Sequence, residues 1–322
     1  MGFKEAYYYK KLPEKKVKCT LFPDEEIIDN GELAKCKVRM NMNGKLKSLN
    51  YGKLHAIKTK KIEGVGFFHF MPDENALSLG APGETLFSEH YFNETSNKEI
   101  EEIPTINQKP FQTIKHAQKA KNKIIAYAEG EPMSFYEYVK DTIDKGKEFK
   151  HVVVTNGFVN REPVRELAGK ADAIMFEVRG MNEEFYEKIC NGKLEPILEA
   201  IKTASQENCW VEIKMLLIKE FHESFYDVRK LVAWMLNNLN ENIPLHFIAK
   251  TASETEIAKR ARKIALDAGL NYVYTDNIDD KEGKNTFCPN CKKSVIIRRD
   301  NEVENKLIDG KCSCGKEISG VW

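Results

Sequence analysis

The chain has 322 residues, 42% of them apolar and 31% charged, with a formal net charge of +1 at neutral pH. That length and balance suit a soluble globular protein, with one large core or a barrel carrying small appendages. A near-zero net charge leaves no basic footprint for nucleic acid or an anionic membrane. The longest apolar runs, such as Met215 to Ile218, fall far short of a membrane span. The first residues, Met1-Gly2-Phe3-Lys4-Glu5-Ala6, carry neither a signal-peptide pattern nor the Ser or Thr of a myristoylation motif. Eight cysteines, four of them in two close pairs near the C-terminus, read as metal ligands in a reducing compartment rather than a disulfide framework. A cytoplasmic location is expected.

Residues 1–75 read as a small β-rich appendage. Val38, Met40 and Met42 alternate with Arg39 and Asn41, and Asn43-Gly44 supplies a hairpin turn. Cys19 and Cys36 lie in this segment. Two thiolates do not close a four-ligand site, so they read as buried free cysteines that pack as small hydrophobes.

Residues 76–280 alternate strands and helices. Ile124 to Tyr127, His151 to Thr155, Ala173 to Val178, Trp210 to Ile218, Leu245 to Ala249 and Tyr272 to Tyr274 read as strands. Phe225, Val228, Leu231, Val232, Met235, Leu236 and Leu239 recur at helical spacing, as do Ile257, Ala261, Ile264, Ala265 and Ala268, with Gly269 as a stop. Such alternation implies parallel β/α units. The pattern alone does not separate a barrel from a doubly wound open sheet.

The apolar run Ala76, Leu77, Leu79 passes through Gly80-Ala81-Pro82-Gly83 into the loop Glu84 to Asn93. Gly83, Leu86 and Asn93 hold the register of a G-C-N-L-x-C-x-F-C-Q-N loop, while Glu84, Ser88 and Tyr91 stand at its three cysteine places. Further along come Glu129-Gly130-Glu131-Pro132, Thr155-Asn156-Gly157, Asp172-Ala173 with Glu177-Val178-Arg179-Gly180, Trp210-Val211-Glu212, and Pro244-Leu245-His246-Phe247. With these stretches the chain resembles the radical SAM protein of the AmmeMemoRadiSam system and, more distantly, the pyruvate formate-lyase activating enzymes. The resemblance spans nearly the whole chain. It implies a radical SAM-type partial (β/α)6 TIM-like barrel over 76–280. It also implies that Glu131 stands where the family holds the amino group of S-adenosylmethionine. Departures gather at the strand-end loops: Lys219-Glu220 replaces a Pro-Gly, and Lys250-Thr251-Ala252-Ser253 leads directly into a helix.

A 4Fe–4S cluster is held by soft thiolates. Carboxylate, hydroxyl and phenol are harder ligands, and no cysteine lies between Cys36 and Cys190 to substitute. The cluster is therefore expected to be absent, and S-adenosylmethionine cleavage with it. Binding of S-adenosylmethionine is disfavoured, with Glu131 the one residual contact. Glu84 and His90 are acceptable ligand types for another metal, but two ligands in one loop seldom make a site. His246, in an otherwise apolar strand, reads as a hydrogen-bonded core histidine rather than a base.

Residues 281–322 carry Cys288-Pro289-Asn290-Cys291 and then Cys312-Ser313-Cys314-Gly315. Two knuckles of this kind bring Cys288, Cys291, Cys312 and Cys314 into an S4 site for zinc or a single rubredoxin-like iron. Such a zinc ribbon is structural, because so short a segment cannot build a sufficient core. Trp322 is expected to pack the tail back.

The reading that follows is a pseudoenzyme: a barrel pattern retained beside an emptied cluster loop, acting as a binding or regulatory partner. Its partners would be an active paralogue or other AmmeMemoRadiSam components, with neither nucleic acid nor membrane among them. The alternative is a cluster-independent enzyme using the rebuilt barrel mouth, still binding S-adenosylmethionine.

Overall fold

The computed structural model describes residues 3–88, 98, 100–299 and 302–322. The fold is mixed α/β around a large, mainly parallel sheet, and the chain divides into two compact units. One holds Met1–Lys61, Asn75–Ile174 and Glu183–Cys209; the other holds Ile62–Glu74, Met175–Asn182 and Trp210–Trp322.

In the first unit, short antiparallel strands occupy the N-terminal segment. Lys4–Glu5, Leu46–Ser48 and Arg39–Asn41 form one sheet; Tyr9–Lys11, Val17–Cys19 and Ile27–Ile28 form another. The hairpin turn falls at Asn43-Gly44, where both φ values are positive (56° and 76°), as a primed turn requires. Ala56–Lys61 then pairs antiparallel with Asn75–Gly80. From there Ile124–Tyr127 and Lys150–Thr155 add in parallel, with Tyr127 opposite Leu79 and Val153. These central strands are buried along almost their whole length, which is why they read as continuous apolar runs rather than as an alternation. Helices close the crossovers. Arg161–Ala168 buries Val164, Leu167 and Ala168 on one stripe, each large apolar side chain contributing about 1.5–3 kcal/mol by leaving water.

Cys19 and Cys36 are both buried and free. Burial pushes the Cys36 thiol up to about 12, so it behaves as a hydrophobe rather than a ligand. Beside them Arg39, fully buried, donates through Nη2 to both oxygens of Glu137 at 3.0 and 2.8 Å.

In the second unit, Trp210–Leu217, Leu245–Ala249 and Val273–Asp276 are parallel neighbours. The last of them begins one residue later than its aromatic signal and runs on through Thr275 and Asp276. Tyr226–Asn238 buries Val228, Leu231, Val232 and Met235 as their spacing predicts. Phe225 is not its first helical residue; it caps the helix with φ 59°. Thr255–Asp267 ends where Gly269 turns at φ 113°, a conformation with little cost only for glycine. Thr286–Phe287, Ser294–Arg299 and Glu302–Asn305 make the antiparallel sheet of the C-terminal segment. No helix among the described residues is long and apolar enough to cross a membrane.

Candidate functional site

In the first unit the loops after three parallel strands converge. Gly80 ends the Asn75–Gly80 strand because an added Cβ there would collide with the carbonyl oxygen of Glu129, so the following loops can lie close together. Ser134 Oγ donates to Glu131 O at 2.8 Å. Glu131 is the N-cap of the short helix Pro132–Phe135, and its Oε1 accepts from Met133 N at 2.9 Å. Thr155 Oγ1 also donates to Oε1, at 2.7 Å, and Asn156 N donates to Oε2 at 2.9 Å. Glu84 enters the same cluster from its own loop: its Oε1 accepts from Thr85 N at 2.8 Å and from Asn156 Nδ2 at 3.1 Å. Asn156 thus bridges the two carboxyl groups, its backbone on Glu131 and its side chain on Glu84. Thr85 Oγ1 steadies that amide at 2.8 Å.

Glu131 and Glu84 are only 4% and 5% exposed, and this decides their electrostatics. Burial, then the charge of Glu84, push the Glu131 carboxyl up to about 8, against the pull of its hydrogen-bond donors. At neutral pH the pair therefore tends to hold a proton, as two like charges in one dry site must. A protonated carboxyl of this kind can donate a hydrogen bond or act as a general acid. Glu129, two residues away, behaves otherwise: it accepts from Ser78 Oγ at 2.6 Å and pairs with Lys58 at 3.4 Å and with Lys60. Ser88 is half-buried in the same loop as Glu84. Tyr91, with His90 and Asn93, lies outside the described residues.

These residues do not fit an iron–sulfur cluster. Where the resemblance puts the first cluster cysteine stands Glu84, a buried carboxylate that accepts from Thr85 N, Leu86 N and Asn156 Nδ2, and where it puts the second stands the hydroxyl of Ser88.

In the second unit the four cysteines of the two knuckles come together. Their sulfur atoms all lie within 4.8 Å of one another, with Cys288 to Cys314 at 3.7 Å and Cys291 to Cys312 at 3.6 Å. Sulfur ligands about 2.3 Å from a central ion sit at such separations in a tetrahedron, so the set fits a metal. The N–H of Lys316 and then the Asn290 amide hold the Cys314 thiol down at about 6, and the N–H of Cys314 lowers Cys312. Against the N–H of Lys293, burial and the neighbouring thiols push Cys291 up to about 11, so the cysteines titrate as one set rather than singly. The tail packs as expected: Trp322 joins the cluster of Phe68, Tyr272, Tyr274, Cys288 and Cys312, and its Nε1 donates to Ile318 O at 2.9 Å.

The same unit holds a buried polar network. Glu212 is completely buried and accepts four hydrogen bonds: His69 N at 2.9 Å, Trp210 Nε1 at 3.0 Å, Phe68 N at 3.2 Å and His246 Nε2 at 2.7 Å. Burial opposes its ionisation, yet the His246 bond and the other partners hold it below the usual carboxylate range. His69 is pushed down to about 4 by burial; its ring bonds Ser319 O at 2.6 Å and the Tyr274 hydroxyl. Glu212, His246 and Tyr274 sit toward the N-terminal ends of their strands, where a parallel barrel keeps structural rather than catalytic groups. His246 is accordingly a hydrogen-bonded core residue. The sequence signals here were the Trp210-Val211-Glu212 and Pro244-Leu245-His246-Phe247 matches, which marked the residues without pairing them.

No family model matches the chain. Over 99% of its length it is 33% identical to the "Uncharacterized protein MJ0808" of Methanocaldococcus jannaschii, of which it covers 99%. Among solved structures it is similar to a domain of the pyruvate-formate lyase-activating enzyme from Bacteroides vulgatus, at 15% identity and a TM-score of 0.41, over 47% of this chain and 98% of that one. It is also similar to Streptococcus suis SuiB bound to S-adenosylmethionine, at 12% identity and a TM-score of 0.48, over 63% and 47% of the two chains. A third is TYW1 with a lysine-pyruvate adduct, at 14% identity and a TM-score of 0.41, over 64% and 78%. These are radical SAM enzymes, and the likeness is one of fold, not of activity.

Proposed function

The chain belongs to the same family as the Methanocaldococcus jannaschii protein MJ0808, and we propose that it is a radical SAM-like scaffold without cluster chemistry, acting as a binding or regulatory partner. The observation that carries this reading is Glu84. The resemblance puts it at the first cluster place, and its carboxyl group is buried and held by Asn156 and Thr85. Glu131, where the family resemblance puts the contact to the amino group of S-adenosylmethionine, has both oxygens engaged by protein donors. Oε1 carries two donors and Oε2 one, so an incoming ammonium would find a single acceptor site, on a carboxyl group only 4% exposed. In the C-terminal segment Cys288, Cys291, Cys312 and Cys314 hold zinc, or a single iron, as a closed structural site. The partner is an active paralogue or another component of the AmmeMemoRadiSam system.

The test is turnover with a partner screen. Anaerobically reconstituted protein with dithionite and S-adenosylmethionine is expected to form no deoxyadenosine above a blank. A tagged copy in its native cell is expected to retain a radical SAM protein with its cluster cysteines intact. Deoxyadenosine formed by the purified chain alone overturns the proposal.

One observation favours a second reading, a cluster-independent enzyme. Glu131 is held near 8, where a general acid works best at neutral pH. Calorimetric titration with S-adenosylmethionine separates the two: saturable binding that is lost in Glu131→Gln supports the enzyme, and no heat supports the scaffold.

A further inference from the structure

A cavity of about 420 Å³ opens in the second unit beside the Thr255–Asp267 helix, the Val273–Asp276 strand and the first cysteine knuckle. Its size falls within the range of small-molecule sites, about 300–1,000 Å³. Leu270 and Phe287 supply apolar wall, and the charged groups are Arg262, Lys292 and Glu282. Arg262 is half-buried, and its Nε donates to Val273 O at 3.0 Å. That bond fixes the guanidinium and leaves Nη1 and Nη2 without a protein partner among the described residues. Asn285 is oriented in the same way: its Oδ1 accepts from Arg298 N at 2.8 Å, which leaves its amide nitrogen to donate. Lys292 and Glu282 are both exposed, so the cavity carries two cations against one carboxylate, and the more enclosed charge is the arginine.

We infer that this cavity is a binding site for a small organic anion, an apolar or aromatic body bearing a carboxylate or phosphate. The apolar walls take the body. The two free nitrogens of Arg262 form the fork that receives a planar or tetrahedral oxyanion through paired, charge-assisted hydrogen bonds. Lys292 adds a second positive charge at the opening, and the Asn285 amide a neutral donor. None of these residues takes part in the Glu84–Glu131 cluster, so the inference stands apart from the fate of that site.

The test titrates the metal-loaded full chain with anilinonaphthalene sulfonate, an aromatic body with one anionic group, and follows its fluorescence. One saturable site per chain is expected. Arg262→Met should weaken it about tenfold or more, the effect of losing a charge-assisted pair of hydrogen bonds. Lys292→Ala changes an exposed side chain, leaves the fold in place and should weaken binding about twofold to fivefold. Displacement by phenyl phosphate but not benzoate assigns a phosphate ligand, and the reverse assigns a carboxylate. Displacement by neither, or unchanged affinity in Lys292→Ala together with Arg262→Met, overturns the inference.

Discussion

Replacing Glu84 by glutamine tests the carboxyl pair directly. The amide keeps an oxygen where Thr85 N and Asn156 Nδ2 now donate, at 2.8 and 3.1 Å, but removes the second negative charge. In the folded protein Glu131 is raised from 4.5 to about 8. A carboxyl raised on folding binds more protons in the native state than in the unfolded one between those two values. Its contribution to stability is therefore fully present below about 4.5 and is lost as pH rises through about 8. Each tenfold change in proton affinity is worth ~1.4 kcal/mol, so the full loss across that window is at most about 5 kcal/mol. Burial is the larger cause and Glu84 the smaller, so Glu84→Gln should recover about 1–2 kcal/mol of it at pH 9 and little at pH 5. Urea unfolding from pH 5 to 9, for wild type, Glu84→Gln and Glu131→Gln, gives the comparison. If wild type and Glu84→Gln keep a constant stability difference across that range, the two carboxyl groups are not coupled and the reasoning fails.

Glu212→Ala should cost about 3–5 kcal/mol in urea unfolding, because four donors, including His246 Nε2, lose a buried acceptor together. A cost below about 1 kcal/mol would place the network outside the stabilising core. Arg39→Met should destabilise by about 3–5 kcal/mol by leaving Glu137 buried without its partner. Arg39→Met with Glu137→Leu should recover most of that loss in the same unfolding assay. Gly80→Ala should cost about 2 kcal/mol or more, since its Cβ meets backbone rather than a movable side chain. A melting curve matching wild type would show that the Glu129 loop can move aside.

Strands of the large sheet were legible because they are buried on both faces and so read as nearly unbroken apolar runs: Lys150–Thr155 and Ala173–Glu177 lie almost where those runs put them. The Asn43-Gly44 turn and the cysteine knuckles were legible because each needs particular residue types at fixed spacing. The edge strand Ala56–Lys61 was not: none of its residues is fully buried, and its Lys58, Lys60 and Lys61 read as solvated chain. Lysines of this kind keep an open edge from pairing with another molecule. Only the family resemblance singled out Glu131 over Glu129, since by residue type and position both are acidic loop residues. Their difference comes from Thr155 and Asn156, contributed by the next parallel strand and its loop. The Glu212–His246 bond joins positions 34 residues apart, and nothing in either strand names its partner.

Metal and acid-labile sulfide content, measured on the chain after anaerobic reconstitution with iron and sulfide, bears most directly on the claim that oxygen ligands have ended cluster chemistry here. The account predicts one metal ion per chain and no sulfide, with the metal lost in Cys312→Ser. About four irons with matching sulfide, retained when Cys288 and Cys291 are both changed to alanine, would contradict it.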